Sequence, residues 1–422
     1  MVERLVKGRR KFGVGAVLLV VASLTMSVMT SAGAARSVPG FDGTTITVAG
    51  FGIKAQLPKL EEGAQARFKR FNDDNEIKGI KIDMVEFADD GQDPANSLSI
   101  ARRLVSQTGV FAIVPNGSAT TPGDYLTQQQ IPWFGGGFDK SYCSSKVSTK
   151  LWGFGPSGCI VPQDPSFVND VFHTMYTYVS EQTGKKHPTF MSFGPETETG
   201  KNATRIFAIS AQGAGFDVVA QSSNMPLQVS DYLPYAQQIL QGDHGKEPDA
   251  VFCNGAVQCL PLWTMLQAQG YKGFYYHGLY TDALVKPLNG SYVNHPYPNF
   301  DAAAGNSDGF DQMKADIEAI NPGAKLDLGD VFGYASADLF VTTLKKVAKK
   351  GTDNITQQNV QKAASKQTWS LPGFMKVQYP KSTVMSYPAC SANSKSNGTV
   401  WEQVEPWSCS TKTYSPKLKV GG

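Results

Sequence analysis

Between Lys81 and Asp139 the chain alternates between short apolar runs and polar or helical ones, and this alternation restricts the fold more than any other feature. KIDMVEFADD ends in acids. PANSLSIARRLVSQ then carries Leu98, Ala101, Leu104 and Val105 at helical spacing, with Asp93 placed to cap it. VFAIVPNGSAT is an uninterrupted apolar run stopped by Gly and hydroxyl residues, and the polar TPGDYLTQQQ leads to IPWFGGGFD. Continuous apolar runs separated by helices of about a dozen residues are buried parallel strands of βαβ units. Each run empties into small polar residues, Asn116-Gly117-Ser118 and Gly135-Gly136-Gly137. Ligands of open α/β sheets lie beyond the carboxyl ends of the strands, so these loops are the first candidates for a site.

The same grammar extends in both directions. TTITVAGFG predicts a strand ending at Gly52, and a helix is expected from about Pro58 to Asn75. After an irregular segment from Phe138 to Pro165, a second series begins with the helix SFVNDVFHTMYTYVSEQ and the strand PTFMSFG. It continues through NATRIFAISAQGAG, FDVVAQSS, DYLPYAQQILQ, DAVFCNG, VQCLPLWTMLQAQG and GFYYHGLY. Residues 291–310 read as a connector, three helices follow, and the tail from Ser370 alternates turns and short strands. At 422 residues the chain is long for one core. Two α/β lobes with a cleft between them account for the pattern.

Arg4, Lys7, Arg9, Arg10 and Lys11 precede an apolar run to about Met29 and then Ser31-Ala32-Gly33-Ala34-Ala35. This is the make-up of a secretory signal peptide over residues 1–35, with an uncleaved membrane anchor as the rival reading. Without it, 39 − 5 = 34 basic residues face 36 − 1 = 35 acidic ones, so no basic surplus argues for nucleic acid. No cysteine precedes Cys143, which excludes a lipid anchor on a cysteine just after the apolar run. The six cysteines, Cys143, Cys159, Cys253, Cys259, Cys390 and Cys409, predict three disulfides in an exported chain. Fifteen connectivities are open, and pairing of neighbours is the preferred one. No CxxC pair or Cys/His cluster calls for a metal.

VEFADDGQDPANSLSIARRLV, the strand and hydroxyl-rich loop after it, and DVFGYASADLF together resemble the leucine/isoleucine/valine-type periplasmic solute-binding proteins, the type I binding fold that serves ABC transporters. VEFADDGQDPANSLSIARRLV is similar to that family's strand, acids, Asp-Pro and helix; the next strand with its hydroxyl-rich loop, and DVFGYASADLF, are similar as well. The resemblance implies an α/β fold of two Rossmann-like lobes with parallel central sheets, joined by a three-crossover hinge. It assigns residues 40–162 and 292–372 to lobe one, and 163–291 and 373–422 to lobe two. It implies a non-enzymatic protein without cofactor that closes on a small polar or amino-acid-like solute. The protein would work as a monomer in the periplasm or cell envelope, with an ABC permease as partner. A sensory module presenting ligand to a receptor is the alternative on the same fold.

Carried over by position, the expected ligand contacts in lobe one are Asn116, Gly117, Ser118 and Thr120, then Gly137, Phe138 and Asp139. In lobe two they are Glu196, Thr197 and Glu198, Gly255 and Ala256, and Tyr280 and Asp282; Phe51 and Tyr334 supply aromatic surface. Each has a plainer reading. The glycines turn the chain, Asp139 caps the turn after it, and Glu196 and Glu198 suit the positive end of a helix. Among five histidines, only His277 lies in a strand approaching the cleft. No G-x-S-x-G, P-loop or GxGxxG accompanies a strand–helix turn, which leaves a secreted hydrolase without a nucleophile motif.

Overall fold

The computed structural model describes residues 38–254, 257–300, 308–372, 375–384 and 389–420. The expected signal peptide lies outside them. Among the described residues no helix is long and apolar enough to cross a membrane.

The first sheet holds five parallel strands, β1 (Thr45–Gly52), β2 (Lys81–Asp89), β3 (Ala112–Gly117), β4 (Trp133–Gly135) and β5 (Gly153–Phe154). Their spatial order is β2-β1-β3-β4-β5. Helices α1 (Leu60–Asp73), α2 (Pro94–Arg103) and α3 (Gly123–Gln128) connect them. Every residue of β3 is buried, as its unbroken apolar run predicts for a central parallel strand. Pro115 sits inside it and has no N–H to give the ladder, and the pairing skips register beside it on both neighbours. Asp93 caps α2 by accepting from Asn96 N, with Pro94 at the first helical position.

A short strand β6 (Val168–Asn169) and helix α4 (His173–Thr183) replace the single long helix expected over 166–182. β6 pairs with β16 (Thr413–Tyr414), so the C-terminal tail claims residues that helical spacing alone gave to α4. The series then runs β7 (Thr189–Pro195), α5 (Glu198–Ala214), β8 (Asp217–Met225), α6 (Leu233–Leu240), β9 (Ala250–Cys253), α7 (Cys259–Ala268), β10 (Phe274–His277) and β11 (Tyr292–His295). Three helices follow, α8 (Asp308–Glu318), α9 (Leu328–Ala348) and α10 (Gln357–Ala364), then the hairpin β12 (Thr368–Leu371) and β13 (Met375–Gln378). The chain ends with β14 (Cys390–Ser396), β15 (Trp401–Cys409) and β16. The second sheet has the order β15-β14-β11-β10-β9-β7-β8, parallel from β11 to β8 and antiparallel at β14 and β15.

Helix α9 returns to the first sheet and packs on α1, β3 and β4. Two glycines allow the close crossing with α1: a β-carbon on Gly63 would lie 2.0 Å from the Asp330 carbonyl, and one on Gly333 2.0 Å from that of Leu60. Buried Arg67 then clamps the pair, its Nε 2.6 Å from Asp338 Oδ1 and its Nη1 2.6 Å from Glu76 Oε1. Trp369 of β12 donates to the other Asp338 oxygen at 2.8 Å, which fastens the hairpin to the same helix.

Two expected boundaries differ from the strand pairing. Residues 292–295, expected in lobe one, form β11 and pair with β10 and β14 of the second sheet. Residues 375–378, expected in lobe two, pair with β12, and Tyr379 accepts from the Gly155 amide at 2.7 Å beside the first sheet. The connector expected over 291–310 therefore begins with a strand. Three disulfides join neighbouring cysteines: Cys143–Cys159, Cys253–Cys259 and Cys390–Cys409. The second ties the end of β9 to the start of α7, and the third joins β14 to β15 at directly opposed positions.

Candidate functional site

The carboxyl ends of both sheets open onto one cavity of about 500 Å³. From the first sheet it receives Ile53, Gln56 and Leu57 after β1, Gly117, Thr120 and Thr121 after β3, and Phe138, Asp139 and Lys140 after β4. The first turns of α9 add Leu328 and Phe332. From the second sheet come Pro195 and residues 197–200 at the start of α5, then Ala203 and Phe207 further along it. Phe252, Cys253, Asn254 and Cys259 line it around the β9–α7 disulfide, and Gly278 and Leu279 follow β10. Ile160 and Val161, in the segment running between the sheets, complete the wall.

The wall is mainly hydrocarbon. Phe138 meets Phe332 edge to face at 4.8 Å, and Phe207 meets Phe252 in the same way at 4.8 Å. Its polar groups are largely occupied by one another, Gln56 Nε2 and Asn254 Oδ1 excepted. Ser118 N donates to Asn116 Oδ1 at 2.9 Å and Thr120 N to Ser118 Oγ at 3.0 Å. Thr121 N donates to Asp139 Oδ2 at 2.7 Å, and Ser141 N donates to Asp139 Oδ1 at 2.7 Å. Asp139 is 4 % exposed, and burial pushes its pKa above the usual carboxylate range. Its carboxylate therefore stitches the loop after β3 to the loop after β4. Lys140, next to it, reaches across to Glu198 at the start of α5, Nζ to Oε2 2.7 Å. Among the described residues Lys140 is the only cation of the lining.

Of the residues expected from sequence, the cavity gathers Gly117, Thr120, Phe138, Asp139, Thr197 and Glu198. The others stand elsewhere, for identifiable reasons. Phe51 is fully buried in the core under β1 with Ile100, Leu104 and Trp133, because alternation along the strand turns it onto the sheet face that α2 covers. Asn116 and Ser118 are fully buried and shape the loop through their own hydrogen bonds. Gly137 has φ +77, and a β-carbon there would lie 2.4 Å from the Gly158 carbonyl; it serves the turn. Glu196 is exposed, its amide donating to Met225 O at 2.9 Å. Tyr280 stacks on His295 at 4.1 Å and accepts from Phe300 N, while Asp282 lies half-exposed, 4.0 Å from Lys325. Tyr334 is buried in α9 and donates to Asp316 at 2.6 Å. Gly255 and Ala256 fall outside the described residues. His277 is fully buried behind the lining.

Two kinds of lining residue stand out among those the sequence did not point to. Ile53, Leu57 and Leu279 follow strand ends and Phe252 is the last residue but one of β9, so the rule that located Gly117 also applies to them. Leu328 and Phe332 belong to a helix about 200 residues from β3, and no local signal joins them to it. Among the described residues no cluster of three or more His, Cys, Asp or Glu side chains is placed to hold a metal ion.

The sequence profile of the periplasmic binding protein family matches residues 43–390. Among solved structures, the chain is similar to a possible leucine/isoleucine/valine-binding protein from Rhodopirellula baltica, at 15% identity and TM-score 0.66 over 86% of this chain and 97% of that one. It is also similar to a fatty acid ABC transporter substrate-binding protein from Thermomonospora curvata, at 17% identity and TM-score 0.65 over 92% and 97%. A third is an ABC-transporter solute-binding protein from R. palustris in complex with 4-hydroxybenzoate, at 17% identity and TM-score 0.63 over 87% and 98%. At these identities the likeness is one of fold. No curated protein sequence matches the chain.

Proposed function

The chain belongs to the periplasmic binding protein family, whose members bind rather than catalyse, and from that premise we propose that it captures a small solute for an ABC importer. The observation that carries the proposal is that loops from both sheets line one cavity of about 500 Å³. A solute there touches both halves at once, which favours the closed arrangement over an open one filled with water. Gly117, Thr120, Phe138, Asp139, Thr197 and Glu198 are the proposed contacts among the residues expected from sequence.

A small polar, amino-acid-like solute, the class implied by the resemblance, needs partners for a carboxylate and an ammonium. The amides of Ser118, Thr120 and Thr121 are already donated within the loops, and both oxygens of Asp139 already accept. The side chains that remain favour a solute with a largely hydrocarbon body, as in most small-molecule sites. Fatty acids and 4-hydroxybenzoate, named for two of the similar structures, have bodies of this kind.

A thermal-shift screen of residues 36–422 against amino acids, aromatic acids, phenols and fatty acids, with small-angle scattering on each hit, tests the proposal. A solute present at about 100 times its dissociation constant adds about 2.7 kcal/mol of stability. The scattering radius is expected to contract with it. A melting point and a radius unmoved by every class would overturn capture, and consumption of a bound compound would overturn the non-enzymatic reading.

A further inference from the structure

We propose that the captured solute is uncharged, and that Glu198 enforces this by occupying Lys140. The inference rests on the cavity being the solute site. An ion leaving water for a largely apolar site is stable there only when a partner of opposite charge or several aligned donors receive it. Lys140, on the loop after β4, is the one lining cation among the described residues, and Glu198, on the opposite wall, holds it at 2.7 Å. The remaining lining charge is Asp139, which is negative when ionised and repels an anion. Gly255 and Ala256, the undescribed residues between β9 and α7, bring no charged side chain.

An ammonium fares little better. Asp139 is the buried carboxylate it would seek, and the Thr121 and Ser141 amides already donate to each of its oxygens at 2.7 Å, which spends part of its charge on the loops. A hydroxyl or carbonyl makes a smaller demand. It can share the Thr120 and Thr121 hydroxyls, or the Gln92 amide at the rim, without displacing an ion pair. The Lys140–Glu198 pair thus acts as a built-in counter-ion at the cavity mouth, tying up the charge that would otherwise admit a carboxylate. Glu198 is a specificity-determining residue in this reading.

The test uses 4-phenylphenol and biphenyl-4-carboxylate, which share a skeleton and differ in charge at pH 7, with calorimetric titration of the wild type and Glu198→Gln. The wild type is expected to bind the phenol at least about tenfold tighter than the carboxylate. Glu198→Gln frees Lys140. The ratio of carboxylate to phenol affinity is expected to rise about threefold to fivefold in the variant, the size of an exposed ion pair. The gain is expected to fade as sodium chloride rises from about 50 to 500 mM. A wild type that prefers the carboxylate, or a variant whose preference does not move, would overturn the inference and leave solute capture standing. Binding of neither compound to either protein, with no melting shift from any class in the wider screen, would overturn both.

Discussion

His277 offers the sharpest test of how the site is held. It ends β10, fully buried, and its Nδ1 accepts from the Leu279 amide at 3.1 Å. Its Nε2 lies 3.1 Å from Ser291 Oγ, whose own proton is donated to Leu288 O at 2.7 Å. Ser291 therefore accepts, Nε2 carries the ring proton, and Nδ1 is bare. A second proton would set one N–H against another. Burial pushes the pKa down to about 3. The unfolded chain takes up a proton below about pH 6.5 and the folded one does not until about pH 3, so stability is lost as pH falls through that window. The loss is about 1.4 kcal/mol per pH unit, or about 2.5 kcal/mol between pH 6.5 and 4.5. His295, whose pKa burial likewise pushes down to about 3, adds a loss of the same sign. Asp139, Asp327 and Asp330 act oppositely. Burial raises all three, Asp330 to about 8 with Asp327 as second cause, so they lend stability as pH falls toward the ordinary carboxylate range. The informative quantity is therefore a difference. His277→Asn keeps an acceptor for Leu279 and removes the titration. Urea unfolding followed by tryptophan fluorescence at about pH 7 and 4.5 is expected to show the wild type losing about 2.5 kcal/mol more than the variant. Leu279 lines the cavity, so solute affinity should fall in acid more steeply in the wild type as well. Parallel stability curves for the two proteins would refute the reasoning.

Two further substitutions probe the frame around the cavity. Asp139→Ala releases the Thr121 and Ser141 amides together; a loss of about 1–2 kcal/mol in chemical denaturation, with weaker solute binding by a still folded protein, is expected. Unchanged binding would remove Asp139 from the site. Asp338→Ala strands the buried Arg67 guanidinium beside Glu76 alone and frees the Trp369 indole N–H; a loss of about 3–5 kcal/mol, read from the denaturation midpoint, is expected.

What the sequence made legible depended on how far each signal had to reach. β1, β3 and α2 were readable because an apolar run, a turn and a capped helix each complete their meaning within about 15 residues. β14 was not: CSANSKS has little strand propensity, and it is a strand because β11 offers an unpaired edge and Cys390 is bonded to Cys409. β6 was lost inside a helical pattern because its partner is the tail, about 240 residues later. The site divides likewise. Gly117, Thr120, Phe138 and Asp139 follow from the strand-end rule. Tyr280 and Tyr334 were misplaced because a carried-over position fixes a residue along the chain and not the direction of its side chain. Tyr334 points to Asp316 of α8, and Tyr280 onto His295.

The second sheet is finished by residues 390–409, which follow all of its other strands in the sequence. Until residues 390–409 arrive, β11 presents one bare margin with Tyr292 and Val293 on it, and β6 lacks its companion. An uncovered strand margin is a template for unwanted partners. A ribosome that stalls shortly before residue 390 therefore leaves behind a product with a sticky margin, and no single cut of the gene separates the strands and covering helices of the first sheet from the strands of the second.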